Sequence, residues 1–326
     1  MWMHGHNLAA EVAENYRDFA AEARGRSRNY EVLAAAVADD PDILGYLETL
    51  PRPKRQPNLL FAAARTLHGG PVDAGQLRDL VRDRRDDLRE LMLTRRTQTN
   101  EPARCATLLP ALARLPQPLA LIEVGASAGL TLLVDRYSYD FAGVQVAGLD
   151  PLAPTLRCEP LGPVPIPDRV PEIAWRAGLD LNPLDVASQA DMDWLACMVW
   201  PGEGDREQRL ADAIAAARRD PPVVHRGDLL TDLPDLAAAA PAGATLVVYH
   251  TAVLAYLTPD ERDRFAAIMR GLPAVWLSNE GPGVISGVPV PPHDGSPFVL
   301  GRDGSTAVAL TDSHGAWVRW PGPDGW

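Results

Sequence analysis

Glu123-Val124-Gly125-Ala126-Ser127-Ala128-Gly129 brings a carboxylate, two glycines and a serine into one short segment. The apolar run LALIEV precedes it, and LTLLVDRY follows with helical spacing of its apolar residues. The pattern reads as strand, tight turn, helix. Gly125 and Gly129 let backbone approach a ligand closely. A helix beginning there would aim free N–H groups at that ligand. The carboxyl end of a strand is where open α/β sheets bind ligands.

An acid ending the next strand would take the hydroxyls of a ribose. Asp150 and Asp180 compete for this place. Asp150 lies near the expected distance, but a proline-rich stretch follows it, with seven prolines from Pro151 to Pro171. That stretch cannot supply a crossover helix. Asp180, in GLDLNP with a helical pattern beyond, is the choice, with capping of the next turn as the lesser alternative. Asp228 follows a third strand, where an exposed structural aspartate is the competing reading. A fourth strand ends in Tyr249-His250-Thr251 and a fifth in Asn279-Glu280. His250 suits acid–base work at neutral pH, and a hydrogen-bonded structural histidine is the equal alternative.

These residues need elements to position them. Residues 1–116 read as helices, with Val12, Tyr16, Phe19 and Ala23 forming one apolar stripe. Breaks fall at Asp40-Pro41, at Pro51 and Pro53, and at Gly69-Gly70. Gln76–Arg96 reads as one charged helix. Thr99 or Asn100 would cap the next, with Glu101 and Pro102 in its first turn. From 119 to 280 strands alternate with helices, which predicts a largely parallel sheet covered on both faces. The end of the chain reads as antiparallel hairpins. Two domains are expected. Residues 1–116 would form a helical substrate or lid domain, and 117–326 a Rossmann-like cofactor domain with an irregular insertion at 138–172.

A net charge of -12 argues against a phosphate-backbone partner. The basic run from Arg78 to Arg96 is interleaved with acids and reads as a self-paired helix face. No apolar run reaches the ~18 residues of a membrane span, and no secretory leader is evident. Cytoplasmic location is therefore expected. Cys105, Cys158 and Cys197 lie far apart, without disulfide or zinc spacing. No metal is expected; His4-Gly5-His6 is a weak exception.

The spacing Glu123-x-Gly125-x-x-x-Gly129 resembles motif I of class I S-adenosylmethionine-dependent methyltransferases. That resemblance implies a loop hugging the amino-acid end of the cofactor, with Glu123 holding its ammonium. It implies that Ser127 and Asp180 also hold the cofactor and that Asp228 contacts the adenine amino group. It also implies a Rossmann-like sheet ending in an antiparallel hairpin, with Tyr249 and His250 facing the transferred methyl. The implied function is methyl transfer to a small-molecule acceptor. The Asn-Pro-Pro-Tyr pattern of base amino-nitrogen methylases is absent.

The chain also resembles a bacterial family catalogued as domain of unknown function 2332. QPNLLFAAARTLHGG, RRTQTNEPARCATLLPAL, LIEVGASAGLTLLVDRYSYD, WRAGLDLNPLDV and SNEGPG carry that likeness. It suggests that Gln98, Thr99, Asn100, Glu101 and Arg104 belong to a site, although capping plus a salt bridge would use the same residue types.

Gly125-Ala-Ser127-Ala-Gly129 also fits the G-x-S-x-G elbow of α/β-hydrolases. Asp228 or Asp235 with His250, His293 or His314 would complete a triad, and His68-Gly69-Gly70 would supply an oxyanion loop. The helical first 118 residues oppose this, because an elbow follows several strands. A dehydrogenase would need glycines where Ser127 and Leu130 stand. A non-catalytic binding protein of the same fold is the third reading.

Overall fold

The computed structural model describes residues 8–322, so His4 and His6 lie outside the described residues. The chain divides into two compact units. The first runs to Thr99 and includes Gln189–Gln208; the second comprises Asn100–Ser188 and the chain from Arg209. The expected boundary at 116 therefore falls inside the second unit, and a later segment returns to the first.

The first unit is helical: α1 (Leu8–Ala23), α2 (Arg28–Ala38), α3 (Pro41–Glu48), α4 (Pro57–His68), α5 (Ala74–Asp83) and α6 (Arg85–Thr94). Ser27 and Asp40 cap α2 and α3 through side-chain oxygens, and Asp73 with Gln76 forms a capping box on α5. The stripe Val12, Tyr16, Phe19 and Ala23 is buried as its spacing predicts. Phe19, Tyr30, Phe61 and Trp200 pack tilted or edge-to-face in its core with centroids 4.9–6.1 Å apart. The single charged helix expected over Gln76–Arg96 is two helices, broken at Arg84, whose φ of -128° is not helical. In the second unit α7 (Arg104–Leu112) begins later than expected, after Ala103, without a side-chain cap. α8 (Gln189–Cys197) belongs to the first unit, and α9 (Gly204–Arg219) carries the chain into the second.

The second unit is built on β1 (Leu119–Val124), β2 (Ser138–Phe141), β3 (Val144–Val146), β4 (Thr155–Arg157), β5 (Glu159–Leu161), β6 (Ile173–Asp180), β7 (Val224–Arg226), β8 (Thr245–Thr251), β9 (Val275–Glu280), β10 (Phe298–Arg302), β11 (Thr306–Thr311) and β12 (Trp317–Arg319). Nine of these form one sheet, ordered β5-β12-β11-β10-β9-β8-β1-β6-β7. The five strands from β9 to β7 are mutually parallel. β10, β11 and β12 extend the sheet antiparallel, and β5 pairs parallel with β12. The fold is thus mixed α/β, with a helical region before a large, mostly parallel sheet. β1 reads LALIEV and is buried throughout, as a central parallel strand requires.

Two local expectations are corrected. The helix expected after the glycine turn is a single 3₁₀ turn, Leu130–Leu133. Crossover chain that would form it instead enters residues 138–172, which are not wholly irregular: β2, β3 and β4 make a small sheet there, and β5 joins the large one. β6 nevertheless pairs parallel with β1, so Asp180 ends the strand beside β1 and Asp150 does not.

Side chains alternate between the faces of a strand, and the registers carry that alternation across the sheet. Glu123 lies beside Gly178 and Tyr249, Tyr249 beside Leu277, and Thr251 beside Asn279. One face therefore carries Glu123, Asp180, Tyr249, Thr251 and Asn279. The other carries Ile122, Val124, Val248, His250, Trp276 and Glu280. On that second face α10 (Leu233–Ala238) and α11 (Pro259–Gly271) complete an apolar core with Leu233, Phe265 and Met269.

Candidate functional site

Glu123 is 1% exposed at the carboxyl end of β1. Its Oε1 accepts from the Thr131 hydroxyl, while Oε2 is buried without a partner. Burial pushes the carboxyl up to about 8. Thr131 and Arg104 oppose this, and the charge of Asp180 adds to it. Beside it, Tyr249 is buried on the same face. Its hydroxyl approaches Thr131 without a well-formed hydrogen bond, and burial raises its pKa well above the ordinary value. Asn279, on that face too, accepts from Thr311 through Oδ1 at 2.8 Å, with Nδ2 unpartnered.

The turn is tightly held. Gly125 N–H donates to the Leu179 carbonyl (2.8 Å), Ser127 N–H to Asp180 Oδ2 (2.8 Å) and Gly129 N–H to the Ala126 carbonyl (2.7 Å). Leu130 N–H donates to Asn100 Oδ1 at 2.8 Å. Few donors remain for a ligand, and no α-helix follows to supply more. The glycines are needed for protein packing. A Cβ on Gly125 would lie 2.4 Å from Val253 Cγ2, and one on Gly129 2.8 Å from Pro222 Cγ; φ is +71° and +72° at the two glycines. Ser127 adopts a φ of +54°, with its buried Oγ unpartnered.

Asp180 is half-buried and clamps the turn with one oxygen; the other accepts from Asn182 N–H at 2.7 Å. Asp228, also half-buried, accepts from Leu230 N–H at 2.8 Å and so stabilises its own turn. Asn100 caps no helix; its oxygen reaches the glycine turn instead. Glu101 pairs with Arg209 at 2.8 Å. Arg104 donates to the carbonyls of Ser313 (2.8 Å) and Thr251 (3.1 Å). Asn100, Glu101 and Arg104 are each no more than 5% exposed. Sequence reading placed this trio near the site but missed that Asn100 braces the turn. Gln98 and Thr99 end the first unit.

His250 lies on the opposite face from Glu123, fully buried. Trp276 Nε1–H donates to its Nε2 at 2.9 Å, and its Nδ1 meets Glu280 Oε1 at 2.6 Å. An indole N–H only donates, so Nε2 must accept and Nδ1 carries the proton. Both nitrogens are committed, which leaves neither free for the acid–base role expected of His250. Glu280 Oε1 also accepts from the N–H groups of Val253 (2.8 Å) and Leu254 (3.1 Å). Burial pushes the Glu280 carboxyl up, but these donors outweigh it and hold the group below its ordinary value. Thr131 and Trp276 were missed by sequence reading; each follows from the register or the turn, neither from a motif.

Ser127 Oγ has no partner, so no triad is assembled around it. His68, His293 and Asp235 are exposed, and His314 Nδ1 lies 3.1 Å from Ser313 Oγ. Among the described residues, no group of three His, Cys, Asp or Glu could hold a metal, and no helix is long and apolar enough to cross a membrane.

The architecture is that of a mixed α/β protein with a cluster of buried polar groups at the carboxyl edge of its parallel strands. The chain belongs to the family described as an uncharacterized protein conserved in bacteria (DUF2332), matched over residues 13–320. Neither a curated protein nor a solved structure matches it.

Proposed function

We propose that the carboxyl edge of the parallel strands binds S-adenosylmethionine and that the chain transfers a methyl group to a small-molecule acceptor. The observation that carries this reading is the unpartnered Oε2 of Glu123, a carboxyl group fully buried beside the glycine turn. A buried acceptor without a donor calls for one, and the cofactor's ammonium has the required charge and hydrogens. Strand order supports the reading. The direction of progression reverses at β1, and open α/β sheets bind ligands where it does so. Asp180 ends β6 and Asp228 lies two residues beyond β7, both half-buried, where sugar hydroxyls and an exocyclic amino group would be met.

When bound, the cofactor would supply an electrophilic sulfonium methyl. The chain's own residues would bind and orient. With the turn's N–H groups already bonded, recognition falls on Glu123, Asp180 and Asp228. Tyr249 and Asn279 offer unpartnered groups on the same face for an acceptor. His250 takes a positioning role, holding Glu280.

Calorimetric titration with S-adenosylmethionine, and separately with NAD, tests the proposal. Saturable binding of the first alone is expected, weakened about tenfold or more in Asp180→Asn, which keeps the side chain's shape but removes its charge. No heat with S-adenosylmethionine, or equal affinity of variant and parent, would overturn it.

A further inference from the structure

We infer that residues 252–257 form a strap that closes the glycine turn and is latched by the Glu280 carboxylate. The segment leaves β8 through Ala252, whose φ of +59° is unfavourable for any residue with a Cβ. Ala252 N–H donates to the Asn279 carbonyl at 3.0 Å. The next residue, Val253, puts its side chain into the space above Gly125 that a Cβ would need.

The latch is a single oxygen. Glu280 Oε1 receives the N–H groups of Val253 and Leu254, and His250 Nδ1–H holds the carboxylate from behind. Trp276 fixes the His250 ring in turn. Arg262 on α11 secures the far side, donating to the Leu254 carbonyl at 2.8 Å and the Ala255 carbonyl at 3.3 Å. Tyr256, at the crest, is 72% exposed. Strain at Ala252 favours release, and the charged latch opposes it. A built-in conflict of this kind suits an element with two positions.

The strap regulates the site proposed above and rests on that reading for the identity of what it admits. Val253 fills the space over Gly125, so a ligand placed there requires it to withdraw. His250, Glu280 and Trp276 are thereby positioning residues acting through the strap.

Two measurements on the full chain test this. The first needs no ligand. In Glu280→Gln, a neutral acceptor replaces a charged one, and each such bond is roughly half as strong. Amide exchange at Val253 and Leu254 and chymotryptic cleavage at Tyr256 should then rise about tenfold. Should that variant not fold, Arg262→Met serves, because it leaves Glu280 in place. Unchanged exchange and cleavage would overturn the latch. The second measurement compares S-adenosylhomocysteine binding by the parent and Val253→Ala. The variant keeps the latched N–H but shortens the plug, and binding should tighten at least about fivefold. Equal affinities would overturn the gate. If neither protein binds the probe, the methyl-donor reading fails, and the exchange result alone decides the latch.

Discussion

Replacing Glu123 with glutamine isolates the physical effect of burying a carboxyl at the end of β1. The amide keeps an oxygen to accept from Thr131 and nearly the same volume, but it cannot ionise. In the parent, the carboxyl titrates at about 8 in place of 4.5. A rise of that size corresponds to roughly 5 kcal/mol between the two protonation states. The folded state keeps a proton between these values that the unfolded state has released. Stability therefore falls as pH rises from 4.5 towards 8, and the loss is complete above 8. Below 4.5 the group contributes no difference. At pH 7 about nine-tenths of the folded molecules carry the proton. Denaturant unfolding of the parent and Glu123→Gln from pH 5 to pH 9 should show the variant gaining steadily relative to the parent. Infrared spectra at pH 7 should contain a protonated-carboxyl band that the variant lacks. Parallel stability curves across this range, or the absence of the band, would refute the reasoning.

Other consequences follow from the same geometry. Binding of S-adenosylmethionine at pH 7 should release close to one proton from Glu123 in the parent and none in Glu123→Gln; calorimetry in buffers of different ionisation enthalpy reads the difference. Gly125→Ala should cost about 2 kcal/mol, because its Cβ meets Val253 and its φ is positive. Val253→Ala should recover about half of that in a double-mutant cycle followed by urea unfolding, and strict additivity would deny the contact. His250→Leu leaves Trp276 N–H and a buried carboxylate without a shared partner, and a loss of about 3 kcal/mol or more is expected in the same assay. Asp135→Asn removes the charge and one of two 2.8 Å bonds to Arg176, turning an NH2 towards the guanidinium, and should cost about 3 kcal/mol, with little dependence on salt because both groups are largely buried.

Strand-forming runs and caps were legible because they depend on neighbours in sequence. LALIEV, TLVVYHT and VWLSNE are strands, and Thr258 caps α11 with Pro259 at its first position, as the sequence suggests. Asp180 was chosen over Asp150 on the inability of a proline-rich stretch to form a crossover helix, and β6 ends at Asp180. The crossover itself was not legible. Short strands such as EPL gain their place from a partner far along the chain, here β12, and TLR pairs with β2 across an intervening hairpin. LTLLVDRY has helical spacing, yet the carbonyls of Leu130, Thr131 and Leu132 accept from the Tyr137 hydroxyl, Cys105 Sγ and Arg176. Tertiary hydrogen bonds replace those a helix would have made, which local spacing cannot foresee.

Which polar residues can act together is decided by the two-residue period of the strands. Tyr249 and His250 are neighbours in sequence, and a motif reading assigns both to one cleft. Their side chains leave β8 on opposite faces. Tyr249 joins Glu123 and Asn279, while His250 joins Trp276, Glu280 and the aromatic ring of Phe265 at 5.6 Å. The two groups meet only beyond the strand ends, where Val253 crosses from the Glu280 latch to the Gly125 turn. On the strap proposal, a change in the histidine cluster would reach the buried carboxyl face by moving that one side chain. Chemistry on the Glu123 face would then depend on His250 for access to the site, not for proton transfer.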